Sequence, residues 1–288
     1  MVPVLYLKNG SYTRSLAEID LVRSKGYITH FGTPTTVSWM VDGDGRALAR
    51  AEYANASGDW KLLLRQGNDF RPVYTETAPL NPPGLVSFGR DTSSFILTSH
   101  KSGEWRDYEI SRADGSVTGP TDAYKGDSVL LNRRQRTVIG MVETKLDQVE
   151  YQFFNPADQT LLRGLARTFG NQQVRLESWS DGRQTIIVAA MGPKNGFALF
   201  LIDRRGRTAS PLALRYQGLE PELLSPVTTL CYEAADGLEI PAYLTMPRGR
   251  DSKNLQLVLL AHGGPAARDE PGFDWWAQAL ASRGYAVQ

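Results

Sequence analysis

The sequence predicts a mostly β chain that changes to an α/β pattern near residue 225, and three observations predict it. Short Val/Ile/Leu/Tyr/Trp runs alternate with tight polar turns up to about Leu224, with little helical periodicity. Two separate series of turns recur with a period in the forties. An unbroken apolar run leading into Gly-Gly appears only after residue 254.

The repeat comes first in the chain. One class of turn holds Lys25-Gly26, Gly67-Asn68, Asp114-Gly115, Ala157-Asp158 and Arg205-Gly206. Its members Gly26, Gly67, Gly115, Ala157 and Gly206 lie 41, 48, 42 and 49 residues apart in order. A second class holds Asn9-Gly10, Ser57-Gly58, Ser102-Gly103, Leu146-Asp147 and Lys194-Asn195, spaced by 48, 45, 44 and 48 residues. Two series with one period describe a repeated four-stranded unit of the size of a β-propeller blade. The second unit is expected to have strands at Val37–Val41, Ala47–Tyr53, Trp60–Arg65 and Arg71–Thr75. Later units are expected to start near Leu85, Ser128 and Val174. The opening MVPVLYLKNGSYTRSL, a strand, an Asn-Gly turn and a strand, supplies a unit lacking its first strand. The expectation is a partial β-propeller of about five four-stranded blades over residues 1–224, the first blade incomplete. Propellers close by joining last blade to first, so this count suggests further residues upstream. A β-sandwich with regular hairpins stays open as the alternative. The Gly-His and Trp-Asp signature of the common scaffold repeat is absent.

The bulk numbers remove several function classes. With 32 Lys+Arg against 31 Asp+Glu and no basic block, nucleic acid is not an expected partner. The longest apolar runs, Thr185–Met191 and Leu255–Ala261, are far short of the roughly 20 residues that cross a bilayer, so no membrane partner is expected either. The start lacks a basic n-region and a long apolar h-region, so a soluble chain without a signal peptide is expected, in cytoplasm or periplasm alike. One cysteine, Cys231, precludes an intrachain disulfide and reads as a small apolar strand residue. His30, His100 and His262 stand in unrelated segments without an H-x-x-x-H, and no P-loop or dinucleotide fingerprint occurs, so neither metal nor cofactor is expected. Asp42 and Asp44 read as turn residues that accept backbone hydrogen bonds.

After Pro226 the pattern changes. Thr228–Glu233, the turn Ala235-Asp236-Gly237 and Glu239–Thr245 predict a hairpin. Leu255–Ala261 (LQLVLLA) predicts a strand buried on both faces of an α/β sheet, followed by His262-Gly263-Gly264-Pro265. Phe273, Trp276, Ala277, Leu280 and Ala281 predict a helix over Phe273–Arg283 with Gly284 as its C-cap, and Tyr285–Gln288 begins another strand. Hairpin, buried strand, Gly-rich loop, helix and strand is how an α/β-hydrolase sheet starts. Residues 225–288 are therefore expected to be the incomplete N-terminal part of an α/β-hydrolase domain. With the following strand cut at Gln288, part of the sheet is expected to lie uncovered and to be aggregation-prone or disordered in isolation.

DGLEIPAYLTMP and VLLAHGGPAARDEPGFDWWAQALASRGYAV resemble the opening of the catalytic domain in the prolyl oligopeptidase family of serine peptidases, especially its acylaminoacyl-peptidase and dipeptidyl-peptidase-like bacterial members. The motif resemblance covers about Asp236–Val287, and the propeller resembles that family in architecture. The resemblance implies acyl-enzyme hydrolysis of peptide bonds in short peptides, with the propeller restricting access.

Acyl transfer through a serine builds negative charge on an oxygen, and donors aimed at that oxygen stabilise it. In α/β-hydrolases one donor comes from the Gly-rich loop after the third strand. By resemblance that donor is the Gly264 backbone N–H, with Gly263 shaping the turn and Pro265 holding its exit. His262 is assigned to loop support, because the catalytic histidine of this fold follows the nucleophile in the chain. Arg268 and Asp269 resemble a pair that often follows the motif in the family; a solvated loop ion pair is the alternative. Trp275 and Trp276 are candidate cleft residues, with Trp276, on the apolar stripe, expected rather to pack the helix. No G-x-S-x-G occurs, no histidine follows Gly264, and the one later serine, Ser282, falls inside the predicted helix. The expectation is a serine-peptidase fragment without nucleophile, acid or base, and inactive alone. A propeller peptide- or protein-binding module and an esterase on the same fold are the alternatives.

Overall fold

A computed structural model describes residues 1–146, 148–170, 172–192, 196–264, 268–270 and 272–288. The chain forms two compact units, Met1–Met141 and Val142–Gln288.

The first unit opens with three antiparallel strands, β1 (Val2–Lys8), β2 (Ser11–Asp20) and β3 (Lys25–His30). A four-stranded sheet follows, β4 (Thr36–Val41), β5 (Ala47–Ala54), β6 (Asp59–Gln66) and β7 (Asp69–Thr77), each hydrogen-bonded to the next. The next sheet repeats this order with β8 (Gly84–Phe88), β9 (Ser94–Ser99), β10 (Arg106–Ser111) and β11 (Val117–Thr121). Then come β12 (Ser128–Leu131), β13 (Val138–Thr144), within which the two units divide, and β14 (Val149–Phe153).

The second unit continues with a helix, α1 (Pro156–Thr168), and a complete antiparallel sheet: β15 (Gln173–Trp179), β16 (Thr185–Gly192), β17 (Gly196–Asp203) and β18 (Thr208–Leu214). Unit starts read from the repeat fall within one residue of β8, β12 and β15. The two turn series are the second and third hairpin connections of these sheets, with four exceptions. Lys25-Gly26 begins β3, Ala157-Asp158 fall in α1, and Asp147, Lys194 and Asn195 lie outside the described residues.

Alternation explains why these runs are strands. On β5 the buried positions are Ala47, Ala49 and Ala51, and on β6 they include Trp60, Leu62 and Leu64. Small residues on one strand make room for large ones on the next, so the layer fills without voids. With Met40, Phe88, Phe95, Leu97, Tyr108 and Ile110, all but Ala47 form one continuous core. The turns carry their own constraint. Gly115 sits at φ +76° with Val73 Cβ only 2.5 Å from where its own Cβ would stand, so only glycine fits.

The helix α1 departs from the expected all-β pattern, standing where a fourth strand was expected after β14. Asn155 explains it: its side chain accepts from the Ala157 N–H at 2.9 Å, and Pro156 occupies the first helical turn, where a missing N–H costs nothing. Leu161, Leu165 and Ala166 then recur at helical spacing and pack with Phe169 against Val174, Ile186, Val188 and Ile202. Asp158 is buried and takes Nε and Nη2 of Arg183 at 3.1 and 2.9 Å.

The last sheet joins the hairpin β19 (Val227–Glu233) and β20 (Glu239–Thr245) to β21 (Leu257–Val258) and β22 (Ala286–Val287), in the order β19-β20-β22-β21. Between β21 and β22 runs α2 (Trp275–Ala281), and β21 and β22 are parallel. The chain is thus mostly β, its successive antiparallel sheets fitting a partial β-propeller, and its last sheet adds one parallel pair joined across a helix. Cys231 lies on β19 and is exposed. Among the described residues no helix is long and apolar enough to cross a membrane.

Two expectations about the last sheet need correction. Leu255–Ala261 is not buried on both faces: Val258 and Leu260 pack with Ala277, Ala281 and Val287, whereas Leu257 and Leu259 are 57% and 65% exposed. The helix also starts later than Phe273, because Asp274 caps it by accepting from the N–H groups of Trp276 and Ala277 at 2.7 and 3.2 Å.

Candidate functional site

The site is built at the C-terminal end of β21, where open α/β sheets place their ligands. Parallel pairing continues past the two-residue strands: Gln288 N–H donates to Val258 O at 2.9 Å and Leu260 N–H to Gln288 O at 2.6 Å. This carries the backbone straight into His262, Gly263 and Gly264, all exposed, with Gly264 at φ +79°. Among the described residues, its chain neighbours aside, no atom lies within 4 Å of where a Gly264 Cβ would stand, so the position needs glycine for its backbone angle. Gln278 ties α2 in place, accepting from Ser225 N–H at 2.7 Å and donating to Ser225 O at 3.0 Å.

A cavity of about 770 Å³ opens here, with His262, Gly263, Asp269, Trp275 and Trp276 on its wall together with Arg175, Phe197, Arg215, Tyr243 and Phe273. A neighbouring cavity of about 320 Å³ shares His262, Tyr243 and Asp269 and adds Arg268, Ile240 and Leu146. Of the residues expected from sequence, His262, Gly263, Asp269 and Trp275 therefore meet at the larger cavity and Arg268 at the smaller. Gly264 follows them in the loop without lining either. Pro265 lies outside the described residues. Trp276 is 56% exposed, not packed into the helix stripe as expected, because capping at Asp274 leaves the stripe to Ala277 and Ala281. Phe273 precedes the cap and packs on Tyr216, ring centroids 5.2 Å apart.

Two of the charges have identifiable partners. Arg175 on β15 pairs with Glu270, and Asp274 is used as the helix cap. Burial pushes the Tyr243 phenol up, and the nearby Arg268 guanidinium opposes the shift. Sequence reasoning missed Arg175, Phe197, Arg215, Tyr243 and Phe273. Four of them sit in strands or at strand ends far from the Gly-rich loop, and the one sequence signal is an arginine set among aliphatic strand residues, as in Val174-Arg175-Leu176. Among the described residues no cluster of His, Cys, Asp and Glu is suited to hold a metal ion.

Over 145 residues the chain is 32% identical to dipeptidyl aminopeptidase BIII of Pseudoxanthomonas mexicana, a match covering 48% of this chain and 21% of that protein. The chain is thus similar over part of its length to a peptidase. Solved structures of such peptidases share its fold: in a prolyl endopeptidase, at TM-score 0.60 and 15% identity, the match covers 99% of this chain and 44% of that one. In a puromycin hydrolase, at TM-score 0.57 and 15% identity, it covers 99% of this chain and 49% of that one. The acylaminoacyl peptidase of Pyrococcus horikoshii matches at TM-score 0.57 and 14% identity, over 96% of this chain and 43% of its own. The chain thus spans just under half the length of these solved peptidases. No family model matches it.

Proposed function

We propose that residues 1–224 are propeller and residues 225–288 the first part of the catalytic domain of a serine peptidase that hydrolyses peptide bonds in short peptides through an acyl-enzyme. A serine hydroxyl attacks the scissile carbonyl, and the oxygen of the tetrahedral intermediate takes up negative charge. The Gly264 N–H donates to that oxygen, Gly263 and His262 hold the loop, and Arg268, Asp269 and Trp275 contact the peptide. The observation that carries this reading is the Gly-rich loop delivered by a parallel strand to the edge of a cavity walled by aromatic and charged side chains. The 288 residues contain no G-x-S-x-G elbow, so the chain is expected to bind peptide and not to cleave it.

The test is an assay of the purified 288-residue chain with aminoacyl and acylaminoacyl chromogenic substrates. No turnover is expected, and reproducible turnover that survives repurification would overturn the assignment of the nucleophile to other sequence. In a reading frame that continues into a G-x-S-x-G elbow, Gly264→Val is expected to lower kcat by about 100-fold, since it re-aims the donor that meets the transition-state oxygen.

A further inference from the structure

We infer that Arg215 is a specificity-determining residue of the larger cavity and selects peptides that present a carboxylate, from a side chain or a C-terminus, toward β17 and β18. This deepens the proposed peptide site and rests on it.

The cavity wall carries two arginines that differ in their pairing. Arg215 is exposed just beyond β18 and has no acidic partner among the described residues, whereas Arg175 on the same wall is paired with Glu270. On that wall Arg175 Nε is buried and has no hydrogen-bond partner among the described residues. A guanidinium Nε–H can only donate, so it asks for an acceptor oxygen. Buried donors are seldom left unpaired, and this one belongs to a residue on the wall of the cavity.

Arg215 is also held ready. Its backbone N–H donates to Phe197 O at 3.0 Å, and its guanidinium lies over the rings of Phe197 and Tyr216, 5.0 and 5.7 Å from their centroids. Tyr216 in turn packs on Phe273, the residue before the α2 cap. A guanidinium stacked in this way keeps its charge and its planar donor fork while losing little freedom when it pairs, which suits a carboxylate. An exposed arginine stacked on aromatic rings is commonly only surface packing. What sets this one apart is its place on a cavity whose wall also holds an orphaned buried donor.

The test is calorimetric titration of the 288-residue chain with four peptides of one length, carrying Glu or Gln at one position and a free or amidated C-terminus. At least one carboxylate form is expected to bind about tenfold more tightly than the fully neutral peptide. Arg215→Ala is expected to remove that preference while changing neutral-peptide affinity less than about twofold, and Arg215→Lys to keep part of it. Arg215→Gln serves if the alanine variant fails to fold. A carboxylate preference that persists without the guanidinium, or no preference in the unmodified chain, overturns the role of Arg215 and leaves the peptide site standing. No binding of any peptide overturns both.

Discussion

In the second blade, β5 and β6 bury Ala47, Ala49, Ala51, Trp60, Leu62 and Leu64, while in the last sheet the run Leu255–Ala261 leaves Leu257 57% and Leu259 65% exposed. The two regions are both rich in apolar residues and differ in connection. Blade strands pair with the strand that follows them across a short turn, and a second sheet of the same kind shares their core. The parallel pair β21 and β22 is joined by a crossover, and among the described residues α2 covers one face only. Local antiparallel pairing completes its own core, whereas a parallel strand depends on elements laid over both of its faces.

The largest expected effect probes the blade. Trp60 is 1% exposed, and Trp60→Ala should cost about 4 kcal/mol, read as a lower denaturation midpoint in urea. A loss under about 1 kcal/mol would show that the blade core repacks freely and would erase the contrast drawn above. A smaller effect is expected in the last sheet. Native-state amide exchange at Leu257–Leu260 should be faster than at Ala49–Ala51, and Leu260→Ala should accelerate it further while Leu259→Ala does not. Equal responses to the two substitutions would mean that both faces are covered.

The smallest effect belongs to His30, whose ring stands edge-on to Trp39 and Phe70 at 6.1 and 6.3 Å. Burial, then the Arg65 guanidinium, holds its imidazole below the usual 6.5. Just below that value the unfolded chain therefore takes up the proton more readily than the folded chain. Stability from this group is present above 6.5 and is lost as pH falls from there through the lowered folded value. Urea midpoints taken between about pH 7.5 and about pH 5 should fall more steeply in the unmodified chain than in His30→Gln. An identical slope in both would place His30 in open solvent.

Much of the fold was legible because blade hairpins are local. Alternation and turn chemistry depend on residues a few positions apart, so strand limits for β4–β7 and the beginnings of later sheets were readable to within about two residues. The helix α1 was missed although Asn155-Pro156 marks its start, because its apolar residues were read against a strand period already in hand. In the site, the Gly-rich loop was legible because glycine, histidine and their place after an apolar run follow from backbone geometry. The rest of the cavity wall was not: Phe197 and Arg215 come from strand ends in another sheet, and nothing near them in sequence marks a cavity.

The sequence by itself determined the repeated blade, its turns and the loop His262–Gly264, since each rests on interactions between near neighbours in the chain. Only the tertiary structure decided which face of Leu255–Ala261 is open, that Trp276 lines the cavity rather than packing the helix and that Arg215 shares its wall with the loop. Those outcomes depend on which distant segments pack together, and packing between distant segments leaves no period or motif in the chain.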